Sequence, residues 1–225
     1  MIKSGSCALG SITVVLLMGL LALSSANTQA QSRLYTPADI LAWPVRSFAE
    51  PVDYSLAEVK KTTAVVANCT PGAASAHYLE TDIDLTQTPI LTWRWFVPAI
   101  NPTDAGEQEK TGDDFPVRIY AVFDAGLFPW QTQAINYVWA RETNIGHAWP
   151  NPFTAQAMML AVETGEAHTG QWREFERDLR DDFAKLHGST PERIDGIAIM
   201  SDCDNTGIAT QGAFGRIQLR QRDDD

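Results

Sequence analysis

Val117-Arg-Ile-Tyr-Ala-Val-Phe123 is followed, with no helical pattern between, by Ala134-Ile-Asn-Tyr-Val-Trp-Ala140. Each segment alternates apolar and polar side chains, the signature of a half-buried strand. Strands that succeed one another without a helix pair antiparallel. Working outward, six more segments read as strands: 63–68, 76–85, 90–97, 157–162, 194–201 and 215–219. Clusters of Gly, Pro, Asp and Asn separate them. One segment differs. Trp172, Phe175, Leu179, Phe183 and Leu186 recur at helical spacing, and Gly188 and Pro191 stop the run. The expected fold is mainly β: a two-sheet antiparallel jelly-roll-like sandwich with one amphipathic helix at about 172–187, on an end or edge.

The first thirty residues read as a secretory signal peptide. Lys3 gives a positive start, Ile12 to Leu23 is a short apolar run, and Thr28-Gln29-Ala30 offers small residues for cleavage after Ala30. Localisation is therefore expected to be periplasmic or secreted, with no membrane span in the mature chain. An uncleaved N-terminal anchor is the alternative. Residues 31–56 read as an irregular arm, with Trp43 and Phe48 as its anchors, residues 57–222 as the sandwich domain, and 223–225 as a solvated acidic tail. Cleavage removes only one charged residue, so net charge moves from −11 to about −12. That acidity disfavours nucleic acid and anionic membrane as partners. Cys69 and Cys203 remain, and in an exported chain they either form a disulfide across a long loop or stay as two buried thiols.

Strand parity sorts the polar groups. Trp93 and Trp95 share a face, with Arg94 opposite. Val117, Ile119 and Ala121 share a face opposed by Arg118 and Tyr120. Ile135, Tyr137 and Trp139 oppose Asn136. Arg94, Arg118, Tyr120 and Asn136 thus form a sparse polar set. A guanidinium fork beside a phenol and an amide suits a ligand face. The alternative is a structural Arg–Asp network using Asp113, Asp114, Asp202 or Asp204.

Ile197-Ala-Ile-Met-Ser-Asp-Cys-Asp-Asn-Thr-Gly207 runs an apolar strand into an acid cluster. Asp202, Asp204 and Asn205 present oxygens at alternate positions, as in the first half of a calcium loop. An EF-hand is excluded, because Ala213 stands where the closing Glu is required. Calcium on Asp202 and Asp204 is one reading of the cluster. Pairing with Arg94 or Arg118 is the second, and a plain turn is the third. The polar loop from Asn101 to Thr111 is expected to be mobile. There is no GxSxG, HExxH, CxxC or phosphate loop, and His77, His147, His168 and His187 lack metal-ligand spacing. Trp130, Trp149, Trp172 and Tyr137 are candidates for sugar stacking, though such aromatics more often build core.

Four ordered blocks carry a family resemblance: 91–97 (LTWRWFV), 112–123 (GDDFPVRIYAVF), 135–139 (INYVW) and 197–207 (IAIMSDCDNTG). They resemble the bacterial domain-of-unknown-function family 3047, over about Val45 to Leu219. The resemblance implies an exported β-sandwich protein and brings no activity or catalytic residues. The family pattern has Thr at the position of Cys203, which puts a disulfide outside its shared design. The order helix, strand, glycine-bearing turn, last strand is also similar to galactose-binding-like and carbohydrate-binding jelly rolls, a likeness of fold alone.

The function expected is a non-catalytic binding module for a saccharide or other polar small ligand. Arg94, Arg118, Tyr120, Asn136, Asp202, Asp204 and Asn205 would form its site, with calcium as the only candidate cofactor. One alternative is an envelope hydrolase using paired acids among Asp114, Asp202 and Asp204. The other is a structural or assembly protein of the envelope with an internal Arg–Asp network.

Overall fold

The computed structural model describes Met1, residues 32–124, Gly126 and residues 131–223. Apart from Met1, the signal-peptide reading lies outside the described residues, as do Trp130 and most of the acidic tail. The elements run β1 (Arg33–Tyr35), α1 (Pro37–Leu41), β2 (Val45–Ser47), β3 (Asp53–Val59), β4 (Thr62–Cys69), β5 (Ala74–Asp84), β6 (Ile90–Phe96) and β7 (Arg118–Asp124). They continue through β8 (Thr132–Ala140), β9 (Ala148–Pro150), β10 (Ala157–Thr164), β11 (Trp172–Asp178), α2 (Leu179–His187), β12 (Arg193–Asp202) and β13 (Thr210–Arg220). The first sheet has the order β11-β6-β13-β4-β3, with β1 also on β13. The second has the order β2-β5-β12-β7-β8-β10-β9.

The core fills the space between the sheets as parity requires. Trp93 and Trp95 from β6 face Ile119 and Ala121 from β7, Tyr137 from β8, and Ile197 and Ile199 from β12. Rings dominate it: Trp93 lies 5.0 Å from Tyr137 and 5.4 Å from Phe175, centroid to centroid. Such aromatic contacts add to the apolar area removed from water. Leu179 and Phe183 plug α2 into the same core. The Tyr137 hydroxyl, inside the sandwich, donates to Asp182 on that helix at 2.7 Å.

Four expectations are corrected. The helical spacing read from Trp172 holds only from Leu179. Trp172–Asp178 is a strand paired along its whole length with β6. Trp172 and Phe175, three apart, match the helical period but take opposite faces of the strand, Trp172 over Arg94 and Phe175 against Trp93, and the hydrogen bonds of β6 decide it. Asp178 then caps the helix, accepting from the N–H groups of Arg180 and Asp181, and Gly188 ends it at φ 68°. The arm at 31–56 is not irregular: it contributes β1, α1, β2 and part of β3. A capping box of Thr36 and Asp39, with Pro37 in the first turn, builds α1. Trp43 is buried there, but Phe48 is exposed. The pairing is not wholly antiparallel, since β10 runs parallel to β8. The connection at 141–156 is long enough to return the chain, and it carries β9. Finally, the polar loop is anchored: Glu107 is 2% exposed and accepts the backbone N–H groups of Arg141, Glu142 and Thr143.

Candidate functional site

The outer face of the second sheet carries the site. Because Ile119 and Ala121 point into the core, Arg118 and Tyr120 must point out. Register then fixes their neighbours: Tyr120 stands opposite Asn136 on β8, and Arg118 opposite Met200 on β12. Ala74, Ala76 and Ala198 share this face with Met200. Tyr78 and Tyr120 pack against this cluster, and the small side chains of Ala74 and Ala157 leave the rest of the face hollow. The result is a groove of about 370 Å³. Two loops close over its sides. One brings Phe48, and the other brings Asn151, Phe153 and Thr154. Phe48 is 68% exposed and Phe153 55% exposed, so both rings stand open to water.

Arg118 lies at the end of the groove and is 1% exposed. Its Nε donates to Asp202 Oδ1 at 2.9 Å, and its Nη2 donates to Asp202 Oδ2 and, at 2.6 Å, to the Asp113 carbonyl. The Phe115 N–H donates to Asp202 Oδ1 at 2.9 Å. The Asp113 carboxylate is 3.6 Å from the same guanidinium. One cation thus serves two buried carboxylates. Burial pushes the Asp202 carboxyl up to about 8, against the pull of Arg118 and with Asp113 and Asp114 pushing the same way. Burial pushes Asp113 up as well. It also weakens the Arg118 charge, but Asp202 and Asp113 outweigh that and hold the guanidinium more firmly protonated than usual.

The groove also contains unspent acceptors. Asn136 Oδ1 and Asp113 Oδ1 are buried and have no hydrogen-bond partner. Buried polar atoms are seldom left so, since each costs about 1–3 kcal/mol. The other Asp113 oxygen accepts from Asn151 Nδ2 at 2.8 Å. The Tyr120 hydroxyl donates to Met200 Sδ at 3.3 Å.

The acid cluster is a braced turn beside this groove. Asp114 accepts from the N–H and hydroxyl of Thr206, both at 2.6 Å, and from the N–H and amide of Asn205. Asp114, Asp202 and Asp204 each bring one oxygen within 4.8 Å of the others. Calcium on Asp202 and Asp204 would have to compete with Arg118 for Asp202. The paired-acid reading meets a similar obstacle. Asp202 is buried under Arg118, and Asp114 is saturated by loop donors. Cys69 and Cys203 form a disulfide, with Cα atoms 6.1 Å apart, and it ties this turn to the end of β4.

Of the expected site residues, the fold brings together Arg118, Tyr120, Asn136, Asp202, Asp204 and Asn205. Arg94 is elsewhere. It sits on the outer face of the first sheet, its guanidinium 4.6 Å from the Trp172 ring centroid. Gly215 makes room for it, since a Cβ there would come within 2.3 Å of Arg94 Cγ. Parity gave the face of Arg94 correctly, but not the sheet to which β6 belongs. Of the aromatics considered for stacking, Trp149 and Tyr137 are buried. Phe48, Phe153 and Asn151 were missed. Their one signal was an aromatic in a Pro- and Asn-rich turn, Asn151-Pro-Phe153.

A family model described as "Protein of unknown function (DUF3047)" matches residues 42–218. The chain belongs to that family. No curated protein sequence matches it. Among solved structures, it is similar to the family 11 carbohydrate-binding module of Clostridium thermocellum in complex with a β-1,3-1,4-mixed-linked tetrasaccharide. Identity is 11%, coverage 86% of this chain and 98% of that one, and the TM-score 0.45. It is also similar to the glycoside hydrolase domain of Endo-D from Streptococcus pneumoniae R6. There identity is 10% and the TM-score 0.43, with 81% of this chain covered but only 22% of that one. A cellulase derived from Cel12A of Rhodothermus marinus gives 8% identity, 85% and 98% coverage and a TM-score of 0.39. Likeness at this level carries no inference about ligand or activity.

Proposed function

We propose that this family member is an exported, non-catalytic module that binds a saccharide or other polar small ligand in the groove of the second sheet. One observation carries the reading: two open aromatic rings, Phe48 and Phe153, flank a floor holding two buried acceptors without partners. Aromatic faces take up the C–H surface of a sugar ring, and unspent acceptors fix its hydroxyls. Arg118 and Asp202 act as a brace beneath the groove. A purely structural network would need that brace and not the hollow above it. Export is supported by the apolar run before Ala30 and by the Cys69–Cys203 disulfide.

Titration calorimetry against a panel of oligosaccharides tests this. At least one should bind, and Phe153→Ala or Asn136→Ala should weaken it by about tenfold or more. An empty panel, or full affinity in both variants, refutes the assignment.

A further inference from the structure

We infer that Asn151 is a positioning residue: its amide ties the Phe153 rim to the buried Arg118–Asp113 pair and so sets that ring for the ligand, which rests on the saccharide reading above. Phe153 is exposed, so packing does little to hold its ring. The backbone beneath it has to. Asn151, two residues earlier, is buried and lines the groove. Its Oδ1 accepts from the N–H groups of Phe153 at 3.0 Å and Thr154 at 3.2 Å. Pro152, between them, has its own φ fixed by its ring. The other end of the amide, Nδ2, donates to Asp113 Oδ2 at 2.8 Å and to Met159 Sδ at 3.5 Å. Asp113 is held in turn, because its carbonyl accepts from Arg118 Nη2 at 2.6 Å.

These contacts fill the amide. A carboxamide has two donor hydrogens and two acceptor lone pairs. Here two groups share each end, and nothing is left for a ligand. Asn151 lines the groove in order to hold, not to touch. The bonds to Phe153 and Thr154 are local and make a turn by themselves. The bond to Asp113 is not local. It spans 38 residues and ties that turn to the segment entering β7. It therefore decides where the turn sits relative to the groove floor. A ring set before the ligand arrives costs less ordering on binding.

Asn151→Asp and Asn151→Ser test this. Both keep an acceptor for the turn and lose the donor to Asp113. The Ser variant adds no charge beside Asp113, so it decides the matter if the Asp variant does not fold. In protein carrying 4-fluorophenylalanine, the Phe153 fluorine signal, assigned from Phe153→Ala, should move toward that of an unstructured phenylalanine while the other signals stay. In calorimetry with cello-, xylo- and galactotetraose, affinity for any that binds should fall roughly three- to tenfold. In the Asn151→Ser/Phe153→Ala double variant it should fall no further than in Phe153→Ala alone, since both changes act through one ring. A role confined to the local turn would leave signal and affinity at their wild-type values. An unchanged Phe153 signal, full affinity, or losses that add in the double variant overturns the inference and leaves the saccharide reading standing. If no sugar binds, in this set or in the wider panel, the saccharide reading falls, and the Phe153 signal alone decides the role of Asn151.

Discussion

Two arginines with the same sequence signature have opposite fates. Arg118 is shut against Asp202 and Asp113, while Arg94 lies half-buried over Trp172. Removing one partner of a buried pair strands the other charge. Arg118→Ala should therefore cost about 3–5 kcal/mol in urea unfolding. Arg94→Ala should cost about 1 kcal/mol or less, the value of a partly exposed stack, and leave groove binding unchanged. A small loss at Arg118 would mean that the triad does not hold the turn in place. Parity made both side chains legible as outward-pointing. It could not say that Asp202 would reach back under β7, because that contact depends on a turn 84 residues away in sequence.

At the scale of elements, the β3–β4 hairpin shows where local sequence and geometry conflict. Val59 pairs with Thr62, so Lys60 and Lys61 alone make the turn, at φ 50° and 63°. Such turns favour Asn-Gly, and each non-glycine residue there costs about 1 kcal/mol. Lys60→Asn with Lys61→Gly should raise the unfolding free energy by about 1 kcal/mol in the same assay. No gain would show that the lysines contribute something the backbone does not reveal. The long strands from Ile90, Val117 and Ile194 were readable because alternation marks them. The strand at Trp172–Asp178 was not, because its two aromatics, three apart, match a helical spacing and lie on opposite faces of the strand, and only its ladder with β6 excludes a helix. The short strands β1, β2 and β9 carry too few residues for any period to show. The groove was legible as a set of polar positions. Its aromatic rims were not, because they come from loops whose path no periodicity records.

For the whole molecule, the Cys69–Cys203 bond closes 134 residues of chain. Restricting the unfolded state over so long a loop contributes about 3–5 kcal/mol. Expressed with residues 1–30, the protein should be recovered outside the cytoplasm, starting at Gln31 and free of reactive thiol. Reduction should then lower its stability by about that amount. A chain that keeps its leader, or is equally stable when reduced, contradicts this account. The strand that follows Cys203 has a separate consequence, for the order of folding. In the first sheet β13 is the partner of β1, β4 and β6 together. Arg33 pairs with Leu219. Strands β1, β4 and β6 must each wait for β13, which lies C-terminal to all three. The first sheet stays split, and its inner face uncovered, until β13 has paired.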